Sequence, residues 1–161
     1  MAANAIRLEA NNYFERLNIS IESLVALFDH LCILRPSHGL SGELSIAFLD
    51  DAELSRIHAE FLDDSTPTDV ITFPGDAEEF LAGEICVSVE RAEAEAAARG
   101  ESFAGELTLY LVHGWLHLVG LDDVETADRR AMRRAEEETM NAVETAGLLP
   151  DFRLAPKASA E

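Results

Sequence analysis

Residues 113–123 read HGWLHLVGLDD, and this stretch says more about the fold and the chemistry of the chain than any other. His113 and His117 are four residues apart, so on a helix both imidazoles project from one face, about one turn apart along the axis. Gly120 is placed to end that helix, and a returning chain would bring Asp123 back to the histidines. Two imidazoles and a carboxylate suit one divalent ion and leave a coordination position for water. The stretch therefore predicts a metal site.

Two other interpretations of the same helix need weighing. Two histidines on a largely apolar helix can simply be half-buried residues with hydrogen-bond partners. The pattern also resembles the zinc helix of metzincin-type proteases, which carry a glutamate directly after the first histidine as the base for the metal-bound water. Gly114 stands at that position and has no side chain to accept a proton. A zinc metalloprotease-like hydrolase is therefore the least favoured of the metal-dependent activities.

Outward from this stretch, helix and strand patterns alternate through the 161 residues without a break in composition. They predict the α+β class, as a single layered α/β domain over residues 1–150. A small mixed sheet should pack against helices, with the metal-site helix near the C-terminal third, and residues 151–161 should form a flexible tail. The predicted strands are 5–10, 43–49, 70–73 (closed by Pro74 and Gly75) and 84–89, and the predicted helices are 20–34, 51–62, 90–99, 103–119 and 125–146.

Composition and charge narrow the class of protein. The chain carries 12 Lys and Arg against 31 Asp and Glu, a formal charge of −19, which argues against a general polyanion binder. No apolar run is long enough to cross a membrane, and the first residues lack the pattern of an export signal. Two cysteines do not indicate a disulfide framework. We therefore expect a cytoplasmic protein with no membrane partner.

Four arginines on the last predicted helix are a local exception to this acidity. Their spacing makes two i,i+4 pairs. The simplest expectation is that they pair with neighbouring acids, and contact with RNA is the alternative. The arginines are Arg129, Arg130, Arg133 and Arg134, and the neighbouring acids are Asp128, Glu136, Glu137 and Glu138.

Two further blocks precede the histidine helix: residues 61–74 read FLDDSTPTDVITFP, and residues 83–87 read GEICV. In this order and spacing, the three blocks resemble the YbeY family (UPF0054) of bacterial rRNA maturation endonucleases. The resemblance covers most of residues 40–140. The family's PTDVLSFP block is matched at 67–74, its G-D-I strand start at Gly83 and Ile85 with Glu84 in place of Asp, and its HGxLHLxGYDH helix at 113–122.

The resemblance implies a metal-dependent, single-strand-specific endoribonuclease that acts in 16S rRNA 3′-end maturation and ribosome quality control. It implies one Zn²⁺ per chain, or another divalent ion, which activates water or polarises a phosphate oxygen. The implied partners are rRNA and the small ribosomal subunit, with ribosomal proteins or an assembly GTPase as further candidates. Two of the family's metal-binding histidines map to His113 and His117, and Asp123 stands where the third would be.

The chain departs from the family at a second position. The family carries a catalytically important arginine directly after the aromatic of its Y-R-G segment, whereas Leu62 follows Phe61 here. Leucine offers a phosphate neither charge nor a hydrogen-bond donor. His58 and Arg56 are candidates to compensate, although His58 can equally be a surface histidine.

Two carboxylates in the earlier blocks, Asp69 and Glu84, are candidates for contacts to the metal ligands or the substrate, and the alternative is a purely structural role. The missing arginine also keeps a second function open. In that interpretation the chain is a metal-stabilised assembly factor of the small ribosomal subunit with weak or no nuclease activity.

Overall fold

The computed structural model of the chain describes residues 6–36, 39–62 and 68–158. It confirms the α+β class. In chain order the elements are β1 (Ile6–Asn12), β2 (Leu17–Asn18), α1 (Ile21–Leu34), β3 (Gly42–Leu49), α2 (Asp51–Leu62), β4 (Val70–Asp76), a 3-10 helix (Ala77–Glu79), β5 (Leu81–Ser88), α3 (Val89–Arg99), α4 (Phe103–Leu118), α5 (Thr126–Thr145) and β6 (Arg153–Leu154).

A mixed four-stranded sheet in the order β1–β3–β5–β4 organises the fold. β1, β3 and β5 run parallel, and β4 pairs antiparallel with β5 at one edge. Because side chains alternate along a strand, each face of the sheet carries its own apolar layer. With four strands and both parallel and antiparallel pairs, the sheet is small and mixed, as predicted.

The two apolar layers place the helices on opposite faces. On the larger one, Ile46 and Ile85 pack with buried residues of α1, α4 and α5, including Trp115. On the other face, Leu54 of α2 packs with Cys86 of β5. The helix that carries both histidines therefore lies on the main core, and α2 lies across the sheet from it.

Several predicted boundaries differ from the structure. The strand predicted to close at Pro74 and Gly75 instead continues to Asp76. A proline is tolerated there because β4 is an edge strand of the described sheet and needs no ladder bond on its outer side. Val89 was predicted to end a strand, but it begins α3 because the Ser88 hydroxyl caps that helix by accepting a hydrogen bond from the Arg91 amide.

The C-terminal segment is more ordered than the sequence predicts. β6 pairs antiparallel with β2, and Phe152 is buried against Phe48. The Arg16 guanidinium also donates to the Ala155 carbonyl oxygen at 2.9 Å. The expected flexible tail is thus tied down at least to Ala155. That residues 1–150 form a single domain stays a prediction.

Some predictions fall on other parts of the chain. Residues 63–67, which hold most of the predicted DDSTPTD turn, lie outside the described residues, as do residues 1–5, 37–38 and 159–161. Within the described ranges, none of the helices combines the length and apolar character needed to cross a bilayer.

Candidate metal centre

The two histidines lie in the C-terminal part of α4 rather than in its middle. The helix begins at the Ser102 cap and runs through the main core. It ends in a Schellman turn: the Gly120 amide donates to the His117 carbonyl oxygen and the Leu121 amide to that of Leu116. Gly120 has a φ of +111°, in the region that favours glycine. This turn sends the chain back past the helix end, as the sequence predicts.

The returning chain places one carboxylate against both imidazoles. The Nε2 atoms of His113 and His117 are 3.1 Å apart, and Asp123 Oδ2 lies 3.6 Å and 3.5 Å from them, respectively. Four-coordinate zinc with bonds of about 2.0–2.2 Å has ligand atoms about 3.3–3.6 Å apart, so the two edges to Asp123 match such a site and the edge between the histidines is about 0.2 Å shorter. These three residues therefore form a group that could bind a metal.

A carboxylate from α5 contacts His113 at the ring nitrogen opposite the one that faces Asp123 and His117. The Nδ1 of His113 lies 2.5 Å from Glu136 Oε1. A proton on Nδ1 leaves the Nε2 lone pair directed at Asp123 and His117, which is how carboxylates commonly orient metal-binding histidines. Burial opposes protonation of His113, but the hydrogen bond and charge of Glu136 outweigh it, and the net effect raises the histidine's pKa.

Close packing of α4 on β5 explains the residue that follows the first histidine. A Cβ atom built on Gly114 would lie 2.7 Å from Cγ2 of Ile85. A glutamate at this position would collide with the sheet before it could reach a water molecule. The absence of the protease base is thus enforced by packing as well as by sequence.

A cavity of about 310 Å³ opens beside the metal-binding group. Its walls include His113, Asp123 and, from the start of β4, Asp69. Arg99 also borders it and pairs at 2.5 Å with Glu106, whose side chain is only 2% exposed. The structure therefore brings Asp69, but not the other candidate supporting residues, into the space next to the cluster.

The remaining candidates lie elsewhere. Glu84 follows the same strand as Ile85 but points to the other face, where it accepts a hydrogen bond from the Cys86 thiol. Arg56 and His58 belong to α2, across the sheet from α4. Arg56 also pairs with Glu53 and Glu60, at 2.6 Å and 2.5 Å, on the exposed surface of α2. Leu62 ends α2, and its side chain lies outside the described part of the structure.

The sequence predicts that Glu136 pairs with the α5 arginines, whereas the carboxylate lies against His113 instead. A signal was available: in α5 the buried residues Met132, Ala135, Thr139 and Val143 mark one face, and Glu136 lies at the edge of that face. A carboxylate at the border of an apolar stripe has to find a partner on the neighbouring helix.

The expected pairing of the α5 arginines with nearby acids is also wrong. Glu136 bonds to His113, and Glu138 pairs with Arg35 at 2.9 Å. Arg129 donates instead to the Val124 carbonyl oxygen at 2.7 Å and to the Thr126 hydroxyl at 3.1 Å.

Comparison with known proteins gives an independent result. The sequence profile described as "Endoribonuclease YbeY" matches residues 9–144, a range that includes the whole metal-binding group. A protein of that name from Desulfitobacterium hafniense is 40% identical over 112 residues, which cover 63% of this chain and 71% of the relative. One from Carboxydothermus hydrogenoformans is 30% identical over 137 residues, covering 84% and 96%. The solution structure of TM1509 from Thermotoga maritima shares the fold, with a TM-score of 0.56 and 22% identity over 89% of this chain and 94% of that one.

Proposed function

The chain belongs to the Endoribonuclease YbeY family, and from this premise we propose that it is a metal-dependent endoribonuclease that cuts single-stranded RNA. One observation carries the proposal: His113, His117 and Asp123 direct three ligand atoms at one point, with edges of 3.1–3.6 Å. Three protein ligand atoms at these separations are the arrangement that a divalent ion with an open coordination position requires.

The residues present fit a divalent ion. Two imidazole nitrogens and one carboxylate oxygen are a donor set that zinc accepts, and three protein ligands leave room for a water or substrate oxygen. When bound, the ion would supply a Lewis acid that activates water or polarises a phosphate oxygen. Asp123 adds a negative charge where the family has a histidine, which would make the bound ion a weaker Lewis acid and leaves room for metals other than zinc.

The protein side chains have separate tasks in this proposal. Glu136 keeps the Nδ1 proton of His113 in place, so that Nε2 stays available as a ligand. Four carboxylates border the cavity; Glu136 holds His113, Asp123 is a ligand, and Glu106 pairs with Arg99. Asp69 is the remaining carboxylate, and we propose that it would accept a proton from the attacking water.

The proposed setting is the one that the family resemblance implies. The substrate would be rRNA in the maturing small ribosomal subunit, at the 16S 3′ end, and the activity would extend to ribosome quality control in the cytoplasm. Ribosomal proteins or an assembly GTPase would be further partners. Zinc, one ion per chain, is the proposed cofactor.

A second function is favoured by one specific observation. Leu62 occupies the position of the family's arginine, and Arg56 is held in two ion pairs. In that case the chain would be a metal-stabilised assembly factor that binds the small subunit and cuts RNA weakly or not at all.

Cleavage of a labelled single-stranded RNA by metal-loaded protein tests the first function. Cutting should stop with a chelator and in His117→Ala, and it should persist in His30→Ala, which removes a histidine of α1 that is outside the metal-binding group. Metal analysis should give about one ion per chain for the wild type and less in Asp123→Ala. Cutting that continues unchanged in His117→Ala would rule out the metal mechanism.

The same experiment separates the two functions. If fully metal-loaded wild-type protein does not cut RNA while Leu62→Arg does, the result supports the assembly function. The wild type should then still co-sediment with small ribosomal subunits. If the protein takes up no metal under any loading condition, both proposals lose their common basis.

A further inference from the structure

The N-terminal half of α5 carries an exposed basic patch, formed by Arg129, Arg130, Arg133 and Arg134, on a chain with a formal charge of −19. Across residues 6–36, 39–62 and 68–158, none of the four makes an ion pair with an acid. Two of the four neighbouring acids are engaged elsewhere, Glu136 by His113 and Glu138 by Arg35.

Helix stability does not account for this patch. Arg133 and Arg134 lie about two turns into α5, beyond the first turn over which the helix macrodipole acts, so the dipole gives them no stabilising role. Unpaired surface cations add little to folding. A ligand that carries negative charge would supply the partner that these guanidinium groups lack.

Helix geometry divides the four arginines into two pairs. At about 100° per residue, Arg129 and Arg133 lie within roughly 20° and 60° of Glu136 around the helix axis, whereas Arg130 and Arg134 lie roughly 120° and 160° away. Because Glu136 contacts His113, the first pair flanks the metal-binding group and the second faces away from it.

Arg129 connects the patch to the metal-binding group directly. It donates to the carbonyl oxygen of Val124, the residue after Asp123, so it already holds the loop that presents this carboxylate. Arg133 is one turn further along the same side and has no such bond in the described structure. Of the site-facing pair, Arg133 is therefore the guanidinium available to a ligand.

We propose that Arg133 binds the phosphate backbone of the single-stranded RNA whose scissile bond lies at His113, His117 and Asp123. The inference rests on the proposed function and deepens it, since it assigns the cation that Leu62 cannot supply. A guanidinium suits a phosphate because it offers paired donors in a fixed plane.

The surrounding charges set the direction of the RNA. Arg133 also borders a groove of about 810 Å³ between α4 and α5 that is lined by Glu101, Glu137 and Glu144, so the strand should run towards the Asp123 loop rather than along this groove. The overall negative charge does not prevent contact, because salt screens charges more than about 8 Å apart at physiological ionic strength.

The test compares Arg133→Ala with Arg134→Ala, which remove equal charge from exposed positions on the same helix. Binding of a fluorescein-labelled single-stranded RNA to metal-loaded protein is followed by anisotropy from 50 to 200 mM salt. Arg133→Ala should weaken binding about 5- to 10-fold at 50 mM and lower the salt slope by about 0.7, the value for one phosphate contact on a single strand. Arg134→Ala should stay within about twofold of wild type.

Cleavage kinetics provide a second readout. A phosphate contact present in both ground and transition states raises KM and leaves kcat unchanged, so Arg133→Ala should show that split. Equal effects of the two variants, or no measurable RNA binding by the wild type, would overturn the inference. If the protein cleaves RNA but Arg133→Ala and Arg134→Ala behave alike, only the role of Arg133 is refuted. If RNA binding depends on Arg133 but no cleavage occurs, only the nuclease function is refuted.

Discussion

Replacing Glu136 by glutamine removes the charge behind His113 while keeping the shape of the side chain. The carboxylate oxygen lies 2.5 Å from Nδ1, and the two side chains are only 19% and 23% exposed, so solvent screens the contact incompletely. Loss of a carboxylate that orients a metal-binding histidine typically costs 10- to 100-fold in affinity, or about 1.4 to 2.7 kcal/mol. We expect Glu136→Gln to weaken metal binding within that range.

The assay is competition for zinc with a chromophoric chelator at pH 7.5. Glu137→Gln is the matched control, because it makes the same change of charge at an exposed neighbour on the same helix. In metal-free protein, NMR titration should also show that the pKa of His113 falls in Glu136→Gln, since the carboxylate that raises it is gone.

The pH dependence has a definite sign. A proton on Nε2 competes with the metal, and the raised pKa means that wild-type His113 keeps this proton to higher pH than the variant does. The affinity advantage of the wild type should therefore shrink as the pH falls through that pKa. Equal zinc affinities of Glu136→Gln and Glu137→Gln at pH 7.5 would refute the orienting role of Glu136.

Three further predictions follow from the same contacts. Gly114→Ala should lower the Tm by about 3–10 °C in a thermal melt, because its Cβ would lie 2.7 Å from Ile85 and overpacking costs about 1–3 kcal/mol; an unchanged Tm would contradict the close packing. Arg99→Met should destabilise the protein at pH 7.5 by about 1–3 kcal/mol, because it leaves Glu106 buried without its partner. Burial raises the pKa of Glu106, so this loss should shrink in denaturation at pH 5 as the carboxyl group takes up a proton, and an equal loss at both pH values would count against it. Asp69→Asn should lower kcat for RNA cleavage while the metal content stays at the wild-type value, and an unaltered kcat would exclude Asp69 as the proton acceptor.

The part of the site that the sequence predicts is the part that is local. The i,i+4 spacing of His113 and His117, and the turn at Gly120, follow from the geometry of one helix and its end. The reversal of the chain at Gly120 predicts that Asp123 returns towards the histidines. How closely it approaches them depends also on α5, since Arg129 holds the Val124 carbonyl oxygen next to Asp123.

Features that depend on packing between distant elements were missed. Glu136 meets His113 only because α5 packs on α4, and sequence patterning marks that face without naming its partner. The pairing of β2 with β6 joins residues more than a hundred positions apart, and neither two-residue strand has a pattern of its own. The sequence predicts a strand end at Pro74, whereas β4 continues to Asp76 because it lies at the sheet edge, and that position is set by topology rather than by a local pattern.

All three predicted metal ligands come from eleven consecutive residues at the end of one helix. A cross-link removes chain entropy from the unfolded state, and this entropy grows with the logarithm of the length of the loop that is closed. Neighbouring ligands here are only four and six positions apart, so the loops that the ion would close are short. An unfolded chain would also retain part of its affinity for the metal, since the ligands stay near each other in sequence. Metal binding should therefore add little to the free energy of unfolding, which comes mainly from the core under α1, α4 and α5. A chelator should therefore stop the proposed RNA cleavage under conditions in which the protein stays folded.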